Sequence, residues 1–294
     1  MKIDWVAVDW GTSNLRIWAM GANGDICAQK SSDQGMNGLM PHEFEPVLLS
    51  HIESWLGTEI MQVVICGMAG SRQGWCEAPY ACVPTKPIQE WVKVKTSESR
   101  LDVRILSGIK QQYPADVMRG EETQIAGFLT EFPNYEGVIC LPGTHSKWVR
   151  VQDQRIINFQ TALTGELFGL LTTQSVLRHS LGEWDDAVFV SSLQAMMDHP
   201  ETMMTALFSF RAGALLGGDQ YGIARISASL IGAELAGMTD FWKDNPITII
   251  GAGKLARLYA LALESLGTQP KNFSASDLTL NGLRRAHQEM FNGS

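Results

Sequence analysis

Cysteine is scarce and shows no pairing pattern. Cys27, Cys66, Cys76, Cys82 and Cys140 are odd in number and form no C-x-x-C pair, which excludes a disulfide framework and a structural zinc site and leaves buried thiols in a reducing compartment. Basic charge is also in deficit. Against 31 acidic residues stand 23 basic ones, a net charge of −8, so the broad cationic surface used to bind nucleic acid or an anionic membrane is missing. Any anionic ligand has to be held locally. No run of about 18 apolar residues occurs. The opening MKIDWVAVDW puts Asp4 and Asp9 where a signal peptide needs its apolar stretch, so a soluble cytoplasmic chain is expected. Low-complexity tracts and charge blocks are absent too, and with them any interaction tail. What is present suffices for a sizeable core: 45% hydrophobic residues, nine of them Trp, in 294 residues, the length of one large domain or two ordinary ones.

Periodicity divides the chain. Residues 3–9 and 15–20 read as strands joined by the turn Gly11-Thr12-Ser13, and 25–30 continues the meander. A helix is expected over 42–57, a buried strand over MQVVICG, loops and short strands over 71–103, a strand at 104–107 and a helix over 119–131 with its acids in the first turn. Phe132-Pro133-Asn134 punctuates the chain, so a domain boundary is placed near 131–136, giving domains 1–131 and 132–294. The second opens with strand, glycine turn and strand over 137–151. From 160 onward helices are expected at 165–180, 186–198, 201–216, 219–237, 254–266 and 281–291, with a single clear strand at 247–250. Met196, Met197, Met203 and Met204 read as core filling.

An internal repeat is the most informative feature. VAVDWGTSNLRI aligns with ICLPGTHSKWV, matching Gly11-Thr12 to Gly143-Thr144 at an offset of 132 residues, which suggests two similarly built halves facing across a cleft. A glycine between two strands lets a ligand approach the backbone, and the Thr and Ser that follow offer donors to phosphate oxygens. At the first turn Asp9 could hold a Mg²⁺ through water, or merely bond its own backbone. At the second, Lys147 or His145 could meet phosphate charge, or Lys147 could be a solvated strand residue. A third glycine turn, IIGAGKLA, follows a strand and opens a helix. It could be a dinucleotide fingerprint, but too little chain follows Gly251 to complete such a sheet, and a site where a purine or ribose approaches the glycines fits better.

These three turns, in this order, resemble the phosphate-1, phosphate-2 and adenosine motifs of the actin-like ATPase superfamily of sugar kinases, Hsp70 and exopolyphosphatases. VDWGTSNLRIW, ICGMAGSRQGW, MRGEETQIAGFL, LPGTHSKWV, TALTGELF and IIGAGKLARLYALAL together resemble the 2-dehydro-3-deoxygalactonokinase family over essentially the whole chain. The resemblance implies an α/β fold of two actin-like, ribonuclease H-like domains around a nucleotide cleft. It implies ATP and Mg²⁺ as cofactors and phosphorylation of O6 of 2-dehydro-3-deoxy-D-galactonate in galactonate breakdown. Carried over by position, Asp9, Gly11, Thr12 and Ser13 take phosphate-1, Gly143, Thr144 and Ser146 phosphate-2, and Gly251 with Gly253 the adenosine turn. Partners are then a small sugar acid and ATP, with no nucleic acid and no membrane, and with a homodimer allowed.

One departure matters: GTHSKW lacks the Asp that many of these sugar kinases carry in or just after phosphate-2. Phosphoryl transfer still needs a carboxylate to orient the hydroxyl and take its proton. Glu122, then Glu121, in RGEE are the choices for that base, the alternative being acids that complete a helix N-terminus. Arg72, in a glycine-flanked loop, and Arg16 could grip a substrate carboxylate or a phosphate. Asn37, Thr161 and Thr164 could contact the sugar hydroxyls, or serve as caps and turns. Small residues at Ala224, Ser227, Ala228 and Gly232, on the helix expected to begin at Gly217-Gly218-Asp219, would let it pack closely behind the nucleotide. The competing readings are an exopolyphosphatase-like phosphohydrolase of the same superfamily, a non-enzymatic ATP-gated binding protein and a nicotinamide dehydrogenase.

Overall fold

The structure is a computed structural model that describes residues 2–218 and 220–291. The chain forms two compact units: residues 2–135 with 152–158 and 275–291, and residues 136–151 with 159–274. It thus leaves the first unit at Tyr135 and returns to it for two later segments.

In the first unit β1 (Trp5–Trp10), β2 (Leu15–Met20) and β3 (Ile26–Ser32) form an antiparallel meander. Helix α1 (Phe44–Ile52) leads to β4 (Met61–Gly67), which lies parallel to β1. Next come β5 (Tyr80–Cys82), β6 (Trp91–Lys93), β7 (Leu101–Leu106), β8 (Gly108–Gln111) and β9 (Asp116–Met118). The main sheet has the order β3-β2-β1-β4-β7-β6, and β5-β8-β9 form a small second sheet. Alternation along β1 and β4 fills both faces of the main sheet. Val6, Val8, Val63 and Ile65 pack with Phe44 and Leu48 of α1. On the other face Trp5, Ala7, Val64 and Cys66 pack against α2 (Glu121–Glu131) and α9 (Ala275–Phe291). Each large apolar side chain buried this way contributes roughly 1.5–3 kcal/mol.

The five-stranded sheet, which but for residues 152 and 155–158 belongs to the second unit, runs β12 (Arg155–Ala162), β11 (Ser146–Gln152), β10 (Gly137–Leu141), β13 (Ile247–Gly251), β14 (Lys271–Ser274). Numbered within the unit this is order 3-2-1-4-5, the order that the first unit also follows before its added edge strand β6. The helices are α3 (Thr164–Thr173), α4 (Asp186–Asp198), α5 (Met203–Leu215), α6 (Gly222–Gly237), α7 (Thr239–Trp242) and α8 (Gly253–Ser265). α4 and α6 close over the sheet where Gly232 lets Met196 approach: a methyl at Gly232 would stand 2.9 Å from the Met196 Cβ.

Several sequence expectations need correction. Residues 247–250 are not the only strand after 160: β14 is an edge strand of four largely exposed residues, so it lacks an apolar run. The helix expected over 165–180 stops at Thr173 and resumes as a 3-10 turn at 176–180, because Ser175 turns its hydroxyl back to accept the Leu177 N–H. The last helix begins at Ala275 rather than 281 and runs through Gly282. Gly282, inside this helix, is there for packing: a methyl on it would lie 1.9 Å from the Thr123 carbonyl oxygen of α2. The helix expected over 42–57 is helical only at 44–52, with 3-10 turns on either side, and the strand at 104–107 is β7, three residues longer at its start and one shorter at its end. The helix expected to open at Gly217-Gly218-Asp219 starts at Gly222, and Asp219 lies outside the described residues. Met204 stands 75% exposed rather than in the core. Among the described residues no helix is long and apolar enough to cross a membrane.

Candidate active site

Two groups of residues, one in each unit, gather what the sequence singled out. In the first unit, β1 and β4 run parallel with Asp9 opposite Cys66 and Trp10 opposite Gly67, so the turns that leave them lie side by side at one edge of the sheet. The phosphate-1 turn is closed by the Gly11 N–H donating to the Asn14 carbonyl at 2.9 Å, and Thr12 and Ser13 are exposed on it. The segment carrying Asn37 lies against this turn, its Met36 and Asn37 N–H groups donating to the Gly11 and Thr12 carbonyls at 2.9 Å each. Only glycine fits at position 35, since a methyl there would come within 2.4 Å of the Ser13 backbone.

Asp9 does not bond its own turn. It sits opposite Arg16 in the β1–β2 ladder, and Arg16 Nε donates to Asp9 Oδ2 at 3.0 Å with a second bond from Nη2. The structure therefore places Arg16, expected near a substrate carboxylate, against Asp9. The other Asp9 oxygen accepts the Cys66 thiol at 3.7 Å. Burial pushes the Cys66 thiol up, helped by the Asp9 and Glu122 carboxylates, so these two acids flank one sulfur.

Glu122 is 1% exposed at the start of α2. Its Oε2 accepts the Gly120 N–H at 2.7 Å and its Oε1 accepts the Thr123 hydroxyl at 3.0 Å. Burial, and then the neighbouring Glu121 charge, raises its pKa to about 7. Glu121, half-buried, accepts the Arg119 N–H at 3.0 Å. Gly120 has φ +108°, and a methyl on it would lie 3.5 Å from the Gly67 Cα, which brings the RGEE turn against the end of β4. Arg72 is far more open: its side chain is 81% exposed, with Glu77 at 3.6 Å.

In the second unit β10 and β13 are parallel neighbours, with Cys140 opposite Ile249, so the phosphate-2 turn and the Gly251 turn leave the same edge. Gly251 lies where a methyl would be 3.5 Å from Pro142 and 3.0 Å from Ala256. Beside the Gly143-Thr144 turn and the first turns of α8 opens a cavity of about 390 Å³ lined by Gly143, Thr144, Phe168, Trp184, Ser227, Lys254 and Leu258 among others, with neither Gly251 nor Gly253 in its lining. Lys254, one residue past Gly253, lies over the Trp184 ring at 4.3 Å. Thr144 and His145 are exposed, and His145 Nε2 pairs with Glu166 at 2.6 Å. The next two residues point inward. Ser146 shares a hydrogen bond with the Tyr259 hydroxyl at 2.7 Å, and Lys147 Nζ donates to the Thr161 hydroxyl at 2.8 Å. Thr164 donates to Glu234, an acid for which the sequence reading had no role. Glu234 also accepts the Trp148 indole N–H at 2.7 Å and the Tyr259 hydroxyl at 2.6 Å.

Repeated sheets of one order, each sending a glycine-threonine turn off its first strand, with a cavity beside the second turn, are the frame of the actin-like ATPase fold, here in its sugar-kinase form. A curated protein of Rhizobium meliloti (strain 1021) bearing the name probable 2-dehydro-3-deoxygalactonokinase is 37% identical over 295 residues, covering 96% of each chain. The 2-dehydro-3-deoxygalactonokinase of Escherichia coli (strain K12) is 32% identical over 275 residues, 91% of each. A crystal structure of a Sinorhizobium meliloti protein assigned to the same kinase superposes with a TM-score of 0.91 at 35% identity, covering 98% of this chain and 99% of that one. The chain belongs to the 2-keto-3-deoxy-galactonokinase family, whose sequence profile matches residues 9–286.

Proposed function

We propose that this chain phosphorylates 2-dehydro-3-deoxy-D-galactonate at its 6-hydroxyl, taking the terminal phosphoryl group of ATP and releasing ADP, as a step in galactonate breakdown. The observation that carries the reading is the cavity between the Gly143-Thr144 turn and the start of α8, in a chain matched to this kinase family from residue 9 to 286.

The second unit holds the nucleotide. Backbone groups of the Gly143-Thr144 turn and of the Gly251–Gly253 turn approach phosphate and ribose, and the apolar wall of Phe168, Trp184 and Leu258 takes the base. Lys254, near the cavity rim, offers a charge to the phosphates. The first unit supplies the acids. One carboxylate beside exposed Thr12 and Ser13 hydroxyls suits Mg²⁺, which keeps several waters and takes its remaining ligands from phosphates; it does not suit an all-protein cage, and among the described residues no cluster of three or more His, Cys, Asp or Glu side chains could form one. Asp9 would hold that ion, and bound Mg²⁺ neutralises charge that builds up on the transferring group. Arg16 fixes the Asp9 carboxylate through Oδ2 and leaves its Oδ1 to the Cys66 thiol.

Glu122 takes the proton of the attacking hydroxyl. A carboxyl that titrates near 7 is half-ionised at neutral pH and a stronger base than an ordinary carboxylate. Glu121, less buried, is the second choice. Arg72, on an exposed loop, receives the substrate carboxylate, and Asn37 a sugar hydroxyl.

The test is an ADP-release assay with 2-dehydro-3-deoxygalactonate, other 2-keto-3-deoxy sugar acids, simple hexoses and no acceptor. Release that depends on the first acceptor and yields a 6-phosphate upholds the reading. Equal phosphate release without any acceptor replaces it with a phosphohydrolase.

A further inference from the structure

α6 carries two charged residues, Arg225 and Glu234, along sixteen otherwise apolar or small positions. Glu234 lies beneath β11 and is 7% exposed. Its hydrogen-bond partners are neutral: the Trp148 indole N–H on Oε1, and the Thr164 and Tyr259 hydroxyls on Oε2. A core that needed only packing would fill this place with an apolar side chain at lower cost than a carboxylate shielded from water. What a carboxylate adds is acceptor capacity, enough for three donors at once. The three come from separate elements, β11, the first residue of α3 and α8, and each of those elements also borders or supports the cavity.

The route to the cavity is short. Thr164 opens α3, and the two residues after it hold the phosphate-2 turn: the Glu166 N–H donates to the Thr144 carbonyl at 2.9 Å. Gly165 is packed so closely that a methyl on it would stand 2.2 Å from the Gly143 carbonyl oxygen. On the other side of the turn Ser146 starts β11 and bonds Tyr259, whose hydroxyl donates on to Glu234. One carboxylate thus anchors the turn on both flanks.

We infer that Glu234 is a positioning residue for the nucleotide: by holding Thr164, and Ser146 through Tyr259, it fixes the Gly143-Thr144 turn in the shape that receives phosphate. The inference rests on the nucleotide reading of the cavity. It predicts a defect in ATP affinity and a much smaller one in the chemical step.

The experiment uses the full chain and titrates ATP by calorimetry alongside steady-state kinetics. E234Q keeps the shape but replaces one acceptor oxygen with an amide nitrogen, and T164V removes the hydroxyl donor. Each should weaken ATP binding and raise KM for ATP roughly tenfold. The sugar-acid KM should be unchanged and kcat at saturating ATP should fall less than about threefold. T164S, which restores the hydroxyl, should bind ATP within about twofold of the unaltered protein, and the E234Q/T164V double variant should be no worse than about E234Q alone, because both cut one linkage. Lowered melting temperature with unchanged ATP affinity in E234Q and T164V would overturn the proposal and leave Glu234 a structural acid. So would equal behaviour of T164S and T164V. Absence of ATP binding by the unaltered chain would remove the nucleotide reading itself, and this inference with it.

Discussion

In the first unit the strand entering the glycine-threonine turn carries Asp9 near its end, paired across the hairpin with Arg16, whereas in the second unit the matching strand ends on Leu141, with Pro142 next, and the return strand opens with the inward-pointing Ser146 and Lys147. Proline shifts the geometry as well as the charge. It has no N–H for the ladder, and the last paired residues of the second hairpin, Leu141 and Lys147, have five residues between them, against four between Trp10 and Leu15 in the first. The buried acids differ in the same sense. Glu122 has one backbone and one hydroxyl donor and a pKa raised to about 7, poised to exchange a proton; Glu234 is braced by three side-chain donors that also oppose the upward push of burial. One frame, used twice, is assigned chemistry in one copy and grip in the other.

That division can be broken at several points. The largest effect is expected from Asp9→Asn, with kcat down on the order of a thousandfold and ATP affinity by calorimetry within about threefold. If the loss instead appears in ATP affinity, the first unit is doing the gripping. Next, Glu122→Gln should lower kcat about a hundredfold. Because the base must be ionised, the rate of the unaltered enzyme rises with pH to a plateau above about 7, and the variant should lose that limb. A profile that keeps the limb in Glu122→Gln and loses it in Glu121→Gln would move the base to Glu121.

A smaller change sharpens the other side. Trp184→Ala removes the ring beneath Lys254 and should weaken ATP binding roughly fivefold at unchanged kcat, read from the same titration. The smallest effect concerns stability. His287 stacks on Trp5 at 4.1 Å and bonds Gln62 at 2.7 Å, and burial first, then Arg104, lowers its pKa to about 4. Its neutral form is the one the fold prefers, so the contribution is complete above the ordinary value of 6.5 and is lost as pH falls through about 4. Calorimetric melting should show this acid loss in the unaltered protein and less of it in His287→Gln, with the second unit unaffected.

How far the sequence foretold the site follows from distance along the chain. The two turns were legible because a glycine and a hydroxyl between strands are local signals. The Asp9–Arg16 pair was within reach of the same reasoning, since a hairpin across 11–14 sets residues 9 and 16 opposite each other. The Glu234 cluster was not, because its partners lie 25 to 86 residues away and only the tertiary fold brings them together. The one available signal was an isolated acid in an apolar helix. The early start of α9 at Ala275 was missed for the complementary reason: glycine is a poor local helix former, and the close approach of Gly282 to α2 favours the longer helix only in the folded chain.

The position of α9 bears on how this protein is made. Leu280, Leu283 and Ala286 complete the apolar layer over Trp5, Ala7, Trp18 and Met20, yet they follow the whole second unit along the chain. The N-terminal half emerges first and must wait, one side of its sheet covered by α2 without α9, while everything from 136 to 274 is synthesised. Ordinary vectorial folding is therefore inverted here: the later-made unit has all its parts before the earlier one does, and the first sheet stays incompletely covered until the second unit has been synthesised.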